Sequence, residues 1–321
     1  MRIFWRCTAL VLVGLWAPAL MAQAFPSKPI KIVIGYPPGG AVDVVARTIG
    51  QSLSTALGQA VVIEHKPGAS TNIAVKAVIA AEPDGHTLML AANALAANMA
   101  LFQPPPFDAE RDLAPIALIG RVPVVLAAQA QAPFDGIGAL VSAAKAQPKS
   151  IAYGSPGNGS TPHLAVELFA HAAGMSLLHI PYRGGAPAIT DVLGGQLPLV
   201  AVNALEVWPH VKSAKLKVLA VLSPQRSAIF PDVPPIAESG YPGFEASVWY
   251  GLLAPTGTPP AVLRQLHEAV QKGLHSKEVR DKLTAVGGDV TPGPTEALAQ
   301  LIRSERQRYT ALVRQANIKP D

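Results

Sequence analysis

The segment Tyr153-Gly154-Ser155-Pro156-Gly157-Asn158-Gly159-Ser160-Thr161-Pro162-His163 concentrates glycines, hydroxyls and an imidazole in one short run. It follows an apolar stretch that reads as a strand and opens a helical pattern. Ser160 or Thr161 suits the helix cap, and Pro162 suits the first helical turn. Backbone N–H and side-chain O–H groups gathered at a helix start make a cradle for an anion, one that holds a carboxylate without cutting it. Ser160 stands three residues before His163, which invites a nucleophile–base reading. No glycine follows Ser160 at nucleophile-elbow spacing, and residues three apart on one helix do not aim a hydroxyl at an oriented imidazole. An exported hydrolase using Ser160 and His163 is therefore the alternative reading. No catalytic residue is assigned. A Gly-Lys-Ser/Thr phosphate loop is absent.

Two further loops have the same placement. Gly35-Tyr36-Pro37-Pro38-Gly39-Gly40-Ala41 follows a strand at 30–34 and enters a helix. The N–H groups of Gly39, Gly40 and Ala41 are candidate anion donors there, and Asp43 with Arg47 reads as a local ion pair. His179-Ile180-Pro181-Tyr182-Arg183-Gly184-Gly185 is the other loop, where Arg183 is suited to a bidentate carboxylate contact. Asn93, Asn98 and Asn203 fall after predicted strands as loop-side donors. Glu206 is close to them, and an acid lines an anion site poorly unless it receives an amine. His163, His171 and His179 are spaced by eight, which puts no ligand set on one helix face, so no metal is expected.

The elements that must position these loops alternate strand with helix. Strands are expected at 30–34, 60–64, 87–91, 151–153, 177–180, 199–203, 216–222 and 247–253. Helices are expected at 42–57, 72–81, 161–173, 186–193, 206–213, 259–275, 277–286 and 295–316. This rhythm gives an α/β fold with mainly parallel sheets flanked by helices, and ligands of such sheets bind beyond the C-terminal strand ends. Residues 103–108 form a stiff loop, and the apolar run 116–128 passes from one lobe to the next. The Pro-rich stretch 231–242 is a return crossing. The expected organisation is a discontinuous lobe from 25–122 and 225–321, and a second lobe from 123–224.

The N-terminus sets the compartment. Arg2 and Arg6 precede an apolar run at 8–20, and Ala22-Gln23-Ala24 follows as a small-x-small cleavage pattern. These are the parts of a secretory signal peptide covering 1–24, and its apolar run is too short to span a bilayer. Removing it removes Cys7, the only cysteine, and lowers the net charge from +5 to +3. Only 15% of residues are charged and the basic ones are scattered, which excludes a nucleic-acid interface. The expected product is a monomer in the periplasm, without cofactor.

The chain resembles the substrate-binding proteins of tripartite tricarboxylate transporters, the Bug-type receptors. The resemblance rests on Tyr36-Pro37-Pro38-Gly39-Gly40, Lys66-Pro67-Gly68-Ala69, Pro83-Asp84-Gly85-His86-Thr87-Leu88, Tyr153-Gly154-Ser155, His179-Ile180-Pro181-Tyr182-Arg183-Gly184, Asp191-Val192-Leu193-Gly194-Gly195 and Gly257-Thr258-Pro259. It implies a two-lobe periplasmic binding protein fold, type II-like, with crossing strands between the lobes. It also implies a small organic acid as ligand and membrane permease subunits as partners. Carried over by position, it points to Gly39, Gly40 and Ala41 in one lobe and Ser155, Ser160 and Thr161 in the other. Tyr36, Asn93 and Asn203 are pocket-lining candidates, joined by His163 and Arg183. The chain departs from the pattern at Ser70-Thr71, where a glycine pair is usual, and at Arg183, where lysine is frequent. A receptor signalling to a membrane kinase has the same expected features.

Overall fold

The computed structural model describes residues 25–223, 226–227, 229–244, 246–285, 288–290 and 292–316, so the expected signal peptide lies outside the described residues. The first strands and helices are β1 (Ile30–Ile34), α1 (Ala41–Leu57), β2 (Val61–His65), α2 (Asn72–Ile79), β3 (Thr87–Ala91), α3 (Ala94–Leu101), α4 (Ala109–Asp112) and the long β4 (Leu113–Gln129). Next come α5 (Ile137–Ala146), β5 (Ala152–Ser155), α6 (Thr161–Ala173), β6 (Leu178–Pro181), α7 (Gly185–Leu193), β7 (Leu199–Asn203), α8 (Ala204–Lys212) and β8 (Leu216–Val221). The chain returns through β9 (Ser247–Pro255) and ends with α9 (Pro260–His275), α10 (Lys277–Ala285), β10 (Asp289–Val290) and α11 (Thr295–Ala316).

Strands β2, β1 and β3 are parallel, and so are β6, β5 and β7. Between these sets run β9 and β4, giving the order β2-β1-β3-β9-β4-β7-β5-β6. The first half of β4 pairs antiparallel with β9, down to Val122 with Val248 and Pro123 with Ser247. Its second half pairs antiparallel with β7 and β8, beginning at Val124 with Asn203. The sheets are thus mixed at their shared seam and parallel outside it. This is the two-lobe α/β arrangement of periplasmic binding proteins.

The register has a direct consequence. The C-terminal end of β3 lies beside Gly251, which in turn faces Leu118, a few residues short of the middle of β4. The C-terminal end of β7 lies beside Val124, just past that middle. Both sets of parallel strands therefore point their C-terminal ends toward the same short stretch of β4. Side chains of β4 alternate between layers: Val122, Val124, Leu126 and Ala128 join one core cluster, while Val125 and Ala127 pack beneath α7 and α8. Both faces are covered, so β4 reads as a continuous apolar run despite its period of two.

Three helices appear where the sequence pattern does not place them, α3, the single turn α4, and α5. All eight residues of α3 are buried, so it is apolar on every side and carries no amphipathic period. Asn93 and Asn98 consequently do not lie on an open loop. Asn93, expected in the pocket, instead ties α3 to β9 and α11. Its amide nitrogen lies 2.8 Å from Glu305 Oε2, 3.1 Å from the Ser247 carbonyl and 3.1 Å from the Tyr309 hydroxyl, and its oxygen accepts the Trp249 N–H at 2.9 Å. Asn93→Ala leaves the buried Glu305 and the Trp249 N–H short of partners. It should lower stability to urea by about 2–3 kcal/mol while leaving ligand affinity unchanged.

Candidate functional site

The loops that follow β1, β3, β5, β6 and β7 enclose a cavity of about 600 Å³. A second cavity of about 610 Å³ adjoins it and adds the loop after β2. Tyr36, Pro37, Pro156, Ser160, Arg183 and Gly184 border both, so the two are chambers of one cleft. Ser70 Oγ lies 3.4 Å from the Asn158 carbonyl across the second chamber, joining the loop after β2 to the loop after β5. The cleft lies beyond the C-terminal strand ends, where open α/β sheets take their ligands.

Of the residues expected to line it, Tyr36, Gly39, Gly40, Ala41, Ser160, Thr161, Arg183 and Asn203 border the first chamber. The start of α1 is built by Asp43. Its carboxylate accepts the Gly39 N–H at 3.0 Å and Arg47 Nε at 3.0 Å, and His65 Nε2 stands 2.9 Å away. Burial works against its ionisation, but bonds from Arg47, Gly39 and His65 prevail and hold its pKa below the usual carboxylate range. Gly39 has a φ of 91°, which a side chain would strain. Its N–H is thus occupied by Asp43, a correction to its expected role as a ligand donor. Gly40 and Ala41 remain at the first turn, where N–H groups have no intrahelical acceptor.

At the start of α6, Ser160 Oγ lies 3.5 Å from the His163 N–H and donates to the Gly157 carbonyl at 2.6 Å. It shapes the cap of the helix, as its type and position suggested. His163 lies away from the cleft. Its Nδ1 accepts the Gly159 N–H at 3.1 Å, and its ring stacks on His179 at 3.9 Å. Burial, with the neighbouring His179, pushes its pKa down to about 3, so the ring is neutral. The Ser160–His163 pair of the hydrolase reading is therefore not assembled. Ser155 is also withdrawn: it is fully buried, and its hydroxyl lies 2.7 Å from His179 Nε2. Asn93, Ser155 and His163 support the loops from behind.

The loop after β2 carries three consecutive non-glycine residues in left-handed conformation, Ala69, Ser70 and Thr71, with φ of 47°, 51° and 75°. This accounts for the glycine pair implied by the resemblance, since glycine adopts such angles without steric cost. Ser70 and Thr71 border the second chamber and narrow it with side chains.

Three residues of the first chamber escaped or resisted the sequence reading. Tyr250 and Val248 come from β9, whose alternation turns them toward the cleft while Trp249 faces the core under α11. Glu206 lies in the first turn of α8, with Oε1 2.7 Å from Asn203 Nδ2. It is partly open to the cavity yet deep in the molecule. Burial lifts its pKa to about 7, against the opposing effect of the Asn203 bonds. Tyr36 is pushed up to about 12 by burial and by the proximity of Glu206. Among the described residues no group of His, Cys, Asp and Glu is placed to hold a metal ion.

Paired lobes with helix starts converging on a cleft between crossing strands define a solute-binding receptor of the periplasmic type. Residues 45–318 match the family described as "Tripartite tricarboxylate transporter family receptor". The chain is 36% identical over 308 residues to Protein BugT of Bordetella pertussis, covering 95% of this chain and 94% of BugT. Among solved structures it is similar to periplasmic binding protein BugD, with a TM-score of 0.85 and 32% identity over 92% of this chain and 99% of that one. A protein of R. palustris solved with adipate superposes with a TM-score of 0.87 and 30% identity, covering 92% of this chain and 100% of that one. The chain belongs to the tripartite tricarboxylate transporter receptor family.

Glu206 gives the apo protein a signature in pH. A carboxyl whose folded pKa is raised favours folding below its unfolded value near 4.5, and that contribution is lost as pH rises through about 7. Thermal melts from about pH 5 to 8 should show the native chain losing stability relative to Glu206→Gln. Parallel pH profiles for the two proteins would contradict the assignment.

Proposed function

We propose that this receptor captures a small carboxylate-bearing solute in the interlobe cleft and delivers it to the membrane permease subunits of a tripartite transporter. The observation that carries the reading is the convergence of the starts of α1, α6 and α7 on one cavity bordered by Arg183. First-turn N–H groups and positive helix ends attract a carboxylate, and Arg183 adds a formal charge. The adipate bound by the R. palustris relative is a ligand of the same class. Residues 25–122 and 225–321 would move as one lobe and 123–224 as the other, hinging near the middle of β4. The ligand stabilises the closed form by touching both lobes. The protein acts by binding and not by turnover. Residues 1–24 direct export and are removed, and no helix among the described residues is long and apolar enough to cross a membrane.

A thermal-shift screen of mono-, di- and tricarboxylates on the mature chain tests this. A ligand at 100 times its Kd should add about 2.7 kcal/mol of stability. Thr161→Val and Arg183→Ala should each weaken binding by about 1–3 kcal/mol. Ser160→Ala should act mainly on stability through the lost cap, by about 1 kcal/mol. The absence of any stabilising carboxylate would refute the proposal.

A further inference from the structure

The first chamber has a polar corner that a plain carboxylate does not explain. It is built by Glu206, Asn203 and Tyr250. Asn203 and Tyr250 are buried, and neither Asn203 Oδ1 nor the Tyr250 hydroxyl has a hydrogen-bond partner among the described residues. Unpartnered buried polar atoms are costly, and here both belong to residues that border an open cavity. Asn203 Nδ2 donates to Glu206 Oε1, which leaves Asn203 Oδ1 to act as an acceptor. The second carboxylate oxygen of Glu206 lies against Gly185: a Cβ built at Gly185 would stand 1.8 Å from it. The corner thus brings together a carboxylate, an amide oxygen and a phenol oxygen on residues that border the cavity. The groups that face the same cavity with positive character are Arg183, His210 and the helix starts.

We infer that this corner is an ammonium subsite, and that the solute is an amino-bearing carboxylic acid whose amine sits against Glu206, Asn203 and Tyr250. An ammonium supplies three donors, which matches three acceptors, and its charge offsets the buried carboxylate. The other end of such a solute meets the helix starts and Arg183, so the cleft is dipolar in the same sense as a zwitterion. The inference rests on the carboxylate-receptor reading and narrows it. The competing arrangement has a proton on Glu206 and the Asn203 amide turned over, which would offer donors and favour an acid without the amine. The two arrangements differ in the proton they exchange. An ammonium favours ionised Glu206 and expels its proton, whereas a plain acid favours protonated Glu206 and takes one up. Of the other titratable groups on this cavity, Tyr36 and Tyr250 are held protonated far above neutral pH, and any proton exchanged by His210 persists when Glu206 is replaced.

Calorimetric titration near pH 7, in two buffers of different ionisation enthalpy, tests this with paired probes of one carbon skeleton. The pairs are aspartate with succinate, glutamate with glutarate, and 6-aminohexanoate with hexanoate. In at least one pair the amino member should bind about tenfold to a hundredfold tighter and release a proton. Glu206→Gln should erase both the preference and the proton release. Gly185→Ala displaces the Glu206 carboxylate, the free end of a flexible side chain, and should erase the preference likewise. Plain acids that bind as well as their amino partners, with proton uptake, would overturn this inference and leave the carboxylate reading standing. No binding by any probe in the set would overturn this inference, and the absence of any stabilising carboxylate in the wider screen would overturn both.

Discussion

The antiparallel pairing of β4 with β9 on one side and with β7 on the other is the constraint on which the cleft depends. A single strand belongs to both lobes, and its two halves see opposite neighbours. The register at Val122–Val248 and Val124–Asn203 brings the C-terminal ends of both parallel sets toward one place. Everything chemical follows from that convergence. Helices that start after those strands direct their free N–H groups into the same space, and side chains at the strand ends become its walls.

The cleft is held from behind by polar groups that do not border it. Asp43 fixes the turn into α1 by accepting the Gly39 N–H, and His163 fixes the turn into α6 by accepting the Gly159 N–H. Asn93 joins α3, β9 and α11. Each is buried and well bonded, which suits a support that keeps the loops at fixed positions. The front of the cleft is different. Its polar atoms at Asn203 and Tyr250 are buried without partners among the described residues, the condition expected where a ligand completes the bonding.

Much of this was legible in the sequence. The extents of α6 and α11 follow from capping and amphipathic period, and the strands of both parallel sets were placed to within a residue or two. The legible part of the cavity lining is the part carried by turn chemistry: Tyr36, Gly40, Ala41, Thr161 and Arg183 sit in Gly/Pro-marked loops after strands. Helix α3 was illegible because a segment buried on all sides has no period, and Asn93 and Asn98 were misread with it. Gly39 and His163 were misjudged because local sequence cannot say which N–H or ring nitrogen is already bonded. Tyr250 was missed because a central strand gives no sign of which face meets a cavity. Glu206 was set aside by its charge, although the notion of a received amine was the one that fits its surroundings.

A carboxylate solute on which both lobes close must touch loops from each. Hydrogen–deuterium exchange of the mature chain, with and without the carboxylate that stabilises it most, tests this directly. Ligand-induced protection is expected in the loops at 36–41, 156–161 and 183–187 together, contributed by both lobes. Protection confined to one lobe, or lying outside these loops, would contradict it.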